Sequence, residues 1–256
     1  MSWLRPLGST GIQVSALGLG TVKLGRNQGL RYATGFTLPD DASASRLLDR
    51  ARALGINLLD TAPAYGSSEE RLGSLLAGQR QHWVICSKVG EEFEQGQSRF
   101  DFSPEHTRAS VLRSLRRLRT DVLDIALVHS DGNDLQIIER MGTLEALAQL
   151  KAEGLLRAYG MSTKTVAGGL AAAAVCDVVM LTYNLQQQEE LPVLERCRQL
   201  QRGALVKKAL GSGQLPVDAG LALVLGQPGT SAAVVGTIDP AHLQADVEAA
   251  RRVLGS

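Results

Sequence analysis

The sequence predicts a single (β/α)8 barrel of the α/β class, the TIM-barrel architecture, over residues 1–256 with an N-terminal β-hairpin capping one end. Three observations carry that expectation. Eight short apolar runs alternate with stretches of helical length and periodicity. Several runs are nearly unbroken in Val, Ile and Leu, which suits strands covered on both faces, as in a parallel sheet. No linker or shift of composition divides the chain, so the units belong to one domain.

The opening WLRPLGSTGIQV sets a Gly-containing turn between two apolar segments, a hairpin pattern. Strands follow in ALGLGT from Ala16, INLLDTA from Ile56, WVICSKV from Trp83 and VLDIALVH from Val122. Four more lie in LRAYGMS from Leu156, VVMLTYN from Val178, ALVKKAL from Ala204 and AAVVGTI from Ala232. Between them, residues 41–54 carry Leu47, Leu48, Ala51 and Leu54 at helical spacing. Ser103 opens a helix with Pro104 first and Glu105 next, and its apolar stripe is Val111, Leu112, Leu115 and Leu118. Further helices are predicted over 69–76, 135–152, 165–175, 190–200 and 240–254, with a short one at 217–225. Gly55 and Gly154 stand where left-handed C-terminal caps are expected. The polar stretch 23–39 after the first strand reads as an active-site loop.

Composition excludes several classes. A 44% hydrophobic share is too apolar for a disordered chain. With 27 Lys+Arg against 26 Asp+Glu, nothing electrostatic points to nucleic acid or an anionic membrane as partner. Arg113, Arg116, Arg117 and Arg119 lie opposite the Leu112/Leu115/Leu118 stripe and read as a solvated helix face. Cys86, Cys176 and Cys197 are an odd, widely spaced set without CxxC, which fits a reducing compartment and no disulfide framework. The four histidines lack i, i+4 spacing, so no metal site is expected. GLGTVKLG from Gly18 has Lys23 where a dinucleotide fingerprint needs its third glycine. The N-terminus lacks the apolar core of a secretory signal, and no window approaches the roughly 18 apolar residues of a spanning helix. A soluble, cytoplasmic protein is expected.

Barrel enzymes place reactive groups at the C-terminal ends of strands. Here the second strand ends in Asp60 and runs on to Tyr65, the third ends at Lys88 and the fourth at His129. Singly each has an ordinary structural use; together they converge where this fold builds sites. A Lys cation is expected to lower the phenol's pKa from its reference of about 10, with Asp60 holding the Lys charged and His129 bonding a substrate oxygen. Such a set protonates a developing alkoxide, and the hydride that carbonyl reduction also needs must come from a cofactor.

These residues sit in GINLLDTAPAYGSSEERLG (55–73), ICSKVG (85–90), SLRRLRTDVLDIALVHSDG (114–132), LKAEGLLRAYGMS (150–162) and IDPAHL (238–243). In that order they resemble the aldo-keto reductases. The resemblance implies a barrel that binds NADP(H) or NAD(H) in extended form and interconverts a small aldehyde or ketone and its alcohol. It makes Tyr65 the general acid, tuned by Lys88 and Asp60, and gives His129 the carbonyl. Gly20, Thr21 and Asp60 would line the nicotinamide end. Ser162, Thr163 and Met180 stand where relatives use Ser-Asn and Gln for the carboxamide. Lys207 and Lys208, ahead of Leu210 and Gly213, replace a stacking aromatic, and one of them is expected at the pyrophosphate. Gly236 and Thr237 occupy the phosphate-reading stretch without a cation, and Asp246 replaces an Asn near the adenine. Weakened NADP(H) selectivity and an open cleft with fast cofactor exchange are therefore expected. An alternative is a cofactor-binding regulatory or scaffold barrel with little turnover. The loops 23–39, 91–102 and 131–133 would choose the substrate, with Phe93, Phe100 and Phe102 as an apolar wall.

Overall fold

Side chains alternate across a strand, so each barrel strand sends every second residue inward. A computed structural model describes residues 2–29 and 35–255. Part of the predicted 23–39 loop, residues 30–34, lies outside them. The hairpin β1 (Leu4–Pro6) and β2 (Gln13–Ser15) pairs antiparallel. The eight apolar runs form β3 (Leu17–Gly20), β4 (Leu58–Asp60) and β5 (Val84–Val89), then, after an antiparallel hairpin β6 (Glu91–Glu94) and β7 (Gln97–Phe100), β8 (Leu123–His129), β9 (Leu156–Ser162), β10 (Val178–Thr182), β11 (Gly203–Lys207) and β12 (Ala232–Val235). The eight barrel strands close as β3-β4-β5-β8-β9-β10-β11-β12, every neighbour parallel.

Two apolar layers follow from the alternation. Leu58, Val84, Cys86, Ile125, Leu127, Ala158, Val178, Met180, Leu205 and Ala232 fill the interior, and Leu7, Ile12 and Val14 of the hairpin close its N-terminal end. That is the expected cap. The outward set packs beneath α1 (Val22–Gly25), α2 (Asp41–Ala53), α3 (Ser68–Leu75), α4 (Pro104–Leu118), α5 (Asp134–Arg140), α6 (Thr143–Ala152), α7 (Val166–Val175), α8 (Leu191–Gln199), α9 (Val217–Gly226) and α10 (Pro240–Leu254). Ser103 accepts from the amide of His106 as the N-cap of α4, and Gly55 and Gly154 have φ of +80° and +81°, as their positions require. No helix among the described residues is long and apolar enough to cross a membrane.

Four expectations need correction. The 135–152 helix is two helices, because Gly142 takes φ +73°, a conformation open to glycine, and breaks the run. The 91–102 loop holds the β6–β7 hairpin, turned by Gln95 and Gly96 with φ of +51° and +82°. Its aromatics do not form one wall. Phe102 is buried, Phe100 stacks on it at 6.0 Å, and the Arg26 guanidinium covers Phe93 at 3.3 Å. Of the arginines read as a solvated face, Arg113 pairs with Glu92, and Arg117 with Glu69 and Glu70.

Candidate active site

Leu58, Cys86, Leu127 and Leu205 point inward, so two residues on, at the C-terminal rim, so do Asp60, Lys88, His129 and Lys207. Lys88 is buried and all three of its N–H bonds are used. Its Nζ donates to Asp60 Oδ1 at 2.5 Å, to the Thr61 carbonyl at 2.9 Å and to Tyr65 OH at 3.2 Å. The 3-10 turn Pro63–Tyr65 brings the phenol back over β4, where its OH lies 3.4 Å from Asp60 Oδ2. The His129 ring stands edge-on to Tyr65, with centroids 6.3 Å apart and planes at 87°. Sequence reasoning placed these four together, and the structure brings them together.

Burial raises the Tyr65 pKa and the Asp60 charge adds to it, while Lys88 pulls the other way and does not win. The expected net lowering by Lys88 is thus reversed, because the phenol loses water that a sequence does not show. The Tyr65 phenol keeps its proton across the physiological range. Burial alone would lower Lys88, but the Asp60 charge and hydrogen bond hold its pKa above the ordinary value, so it is charged. His129 is pushed down by burial against the opposing pull of Glu91, with Lys88 and Lys207 adding to the fall, and is neutral near pH 7.

Glu91 was not singled out from the sequence. It opens β6, and its Oε2 lies 2.7 Å from His129 Nδ1, although the ring N–H is not aligned for a hydrogen bond. Burial would raise its carboxyl, but His129, Ser98 and Arg26 hold it down at about 2. Only a hairpin in 91–102 would have revealed that this carboxylate turns toward the rim.

The predicted cofactor residues divide. Thr21 is spent on structure, its hydroxyl donating to the Asp60 carbonyl at 2.9 Å and meeting Ser68 at 2.8 Å, while Gly20 pairs beside Asp60. Met180 is buried in the barrel interior. Lys207 donates to Ser162 Oγ at 2.8 Å and to the Thr163 carbonyl at 2.7 Å, whereas Lys208 is exposed, with φ +55°. Lys207 is therefore the one directed to the rim. In the turn 210–215, the amides of Gly211, Gly213, Gln214 and Leu215 are consumed locally by Lys208 and Leu210 carbonyls. Gly236 is exposed, and Thr237 is tied to Asp239, the N-cap of α10. Asp246 is buried, and burial raises its pKa to about 6.

A nicotinamide fits this rim. Thr163 Oγ1 and Glu190 Oε2 are buried with no hydrogen-bond partner among the described residues, next to the Ser162–Lys207 pair and the end of β10. These are an orphaned donor and an orphaned acceptor, which a carboxamide would satisfy. Residues 236–238 hold no cation, and carboxylates follow at Asp239 and Asp246. A hollow of about 540 Å³ at the opposite end, lined by Arg5, Arg198, Arg202 and Gln227 among others, contains none of the four convergent groups.

Comparison with known proteins agrees with this geometry. The Aldo/keto reductase family model matches residues 16–220. A crystal structure from Pseudomonas aeruginosa assigned to the aldo-keto reductases is 59% identical, with TM-score 0.92, over 98% of this chain and 96% of that one. L-galactose dehydrogenase of Arabidopsis thaliana is 39% identical over 62% of this chain and 48% of its own length. The NADH-specific methylglyoxal reductase of Escherichia coli is 34% identical over 60% of this chain and 50% of its own. The chain thus spans about half the length of these two curated relatives.

Proposed function

Because this chain belongs to the aldo/keto reductase family, we propose that it is a nicotinamide-dependent oxidoreductase reducing the carbonyl of a small aldehyde or ketone. One observation carries the reading: Tyr65 OH, Lys88 Nζ and the Asp60 carboxylate are in mutual contact at the barrel mouth. Tyr65 holds the proton that an alkoxide needs, and an alkoxide is a stronger base than phenolate even when burial raises the phenol's pKa. Lys88, fixed by Asp60 and the Thr61 carbonyl, positions the hydroxyl and stabilises the phenolate left after transfer. Neutral His129 supplies a second group to orient the substrate oxygen. The bound cofactor supplies the hydride. Ser162, Thr163, Glu190 and Lys207 are the residues that would hold its carboxamide end.

NAD(H) is the better-suited cofactor. The bare 236–238 stretch and the Asp239 and Asp246 carboxylates support that choice, as does the NADH specificity of the Escherichia coli relative. The test follows oxidation of NADH and NADPH against a panel of aldehydes and ketones, in wild type and Tyr65→Phe. Turnover with NADH, a rate loss of about 10²–10⁴-fold in Tyr65→Phe and unchanged cofactor binding are expected. Cofactor binding without turnover on any carbonyl would favour a regulatory barrel instead.

A further inference from the structure

The barrel mouth holds two ammonium groups, Lys88 buried and Lys207 half-buried, and they are treated differently. Lys88 has a carboxylate at 2.5 Å and all its N–H bonds filled. Lys207 uses two N–H bonds on neutral oxygens, and no carboxylate among the described residues forms an ion pair with it. The nearest charges act on it only at a distance. Glu190 and Asp134 favour its ammonium form, while Lys208 and Lys88 oppose it. His129 in turn feels Lys207, so this amine shares its space with the carbonyl-orienting ring.

Withdrawing a cation from water without a carboxylate partner costs free energy even at half burial, and bridging Ser162 to Thr163 does not require one, since a neutral amide could do it. A charge kept under those conditions marks a functional position. A ring that delivers hydride to a carbonyl held at Tyr65 and His129 must enter the mouth that Lys207 lines. In its oxidised form that ring is a cation; in its reduced form it is neutral. We propose that Lys207 biases the site toward the reduced cofactor by repelling the positive charge of the oxidised nicotinamide. This rests on the cofactor-dependent reading above. The site then binds NADH, disfavours NAD+, and runs as a reductase. Burial lowers the Lys207 pKa to about 8, so the bias should fade as pH rises through that value.

The experiment measures dissociation constants of NADH and NAD+ alone, without a carbonyl substrate, for wild type, Lys207→Met and Lys207→Arg. Wild type should bind NADH at least about tenfold more tightly than NAD+ at pH 7, because only the oxidised ring would be repelled by the ammonium. Lys207→Met should cut the ratio about tenfold or more, a shift of about 30 mV in the potential of the bound couple. Lys207→Arg, which keeps the charge, should preserve it. In wild type the ratio should shrink between pH 7 and pH 9, and in Lys207→Met it should stay flat. A ratio in Lys207→Met within twofold of wild type, or its loss in Lys207→Arg, overturns the inference while the cofactor reading stands. Failure of wild type to bind either form overturns both.

Discussion

The two ends of the barrel both bury a carboxylate among cations, and they treat it in opposite ways. At the N-terminal end Asp124, the second residue of β8, receives Arg80 at 2.8 Å and the Ile85 amide at 2.9 Å on one oxygen, and Arg157 at 2.6 Å on the other. It ties three strands together, and both of its oxygens are filled. At the C-terminal end the Asp60–Lys88 pair is just as close, but it is turned toward a phenol that can lose a proton, beside an imidazole held off alignment and an ammonium with no carboxylate. At one end the carboxylate is spent entirely on its neighbours. The other keeps hydrogen-bonding capacity and charge in reserve, and that reserve is what a ligand can use.

Substitution at each end should separate the two roles. Tyr65→Phe, which removes one hydroxyl from the mouth, should lose about 10²–10⁴ in kcat with an unchanged Tm. Asp124→Asn should do the reverse. Its two arginines are partly exposed, so the loss falls below the 3–5 kcal/mol of a fully buried pair, at about 2–3 kcal/mol. For a chain of this size that is a Tm lower by about 5–10 °C, read by thermal melting. Its kcat/KM per folded molecule should match wild type. A rate loss in Asp124→Asn as large as in Tyr65→Phe would dissolve the distinction between the ends.

How much of this was legible follows from what each signal depends on. Asp60, Lys88 and His129 could be found because strand alternation and the rule for strand ends are local, and Tyr65 lies within one turn of Asp60. Glu91 could not, because EEFEQGQSRF has little apolar alternation, its turn uses Gln-Gly rather than Asn-Gly, and β7 is exposed. The direction of the Tyr65 shift is not legible for a different reason: a neighbouring charge can be inferred from spacing, whereas desolvation comes from the assembled mouth. The choice between Lys207 and Lys208 needed only the register of β11, with Leu205 pointing inward. The stretch 135–152 held its own warning in Gly142, where helical periodicity on either side concealed the break.

Asp246 sharpens the comparison through pH. It lies in α10, where burial lifts its pKa from 3.8 to about 6. A carboxyl whose folded pKa is raised binds its proton more tightly in the folded state. Its ionisation therefore costs stability as pH rises from about 4 to 6, and the cost persists above that. Asp246→Asn should raise stability by about 2 kcal/mol at pH 7.5, or about 4–8 °C in Tm, and change nothing near pH 4. An equal gain at both pH values would mean that packing, not charge, is responsible.

The smallest expected effect tests whether Glu91 belongs to the reserve or to the scaffold. Its carboxyl is held at about 2, so it stays ionised from pH 5 to 8 and can contribute no inflection there. Its charge favours protonation of His129 against the effect of burial. Glu91→Gln removes that pull and leaves the imidazole more firmly neutral, with a weaker electrostatic hold on Nδ1. On the proposed roles, in which His129 orients the substrate and Tyr65 moves the proton, the loss should fall on KM, raised about 3–10-fold (about 1 kcal/mol), with kcat nearly unchanged. Steady-state kinetics across pH 5–8 decide it. A kcat loss as deep as that of Tyr65→Phe would make Glu91 part of the proton path, and an unchanged KM would reduce the β6–β7 hairpin to a cover over the barrel rim.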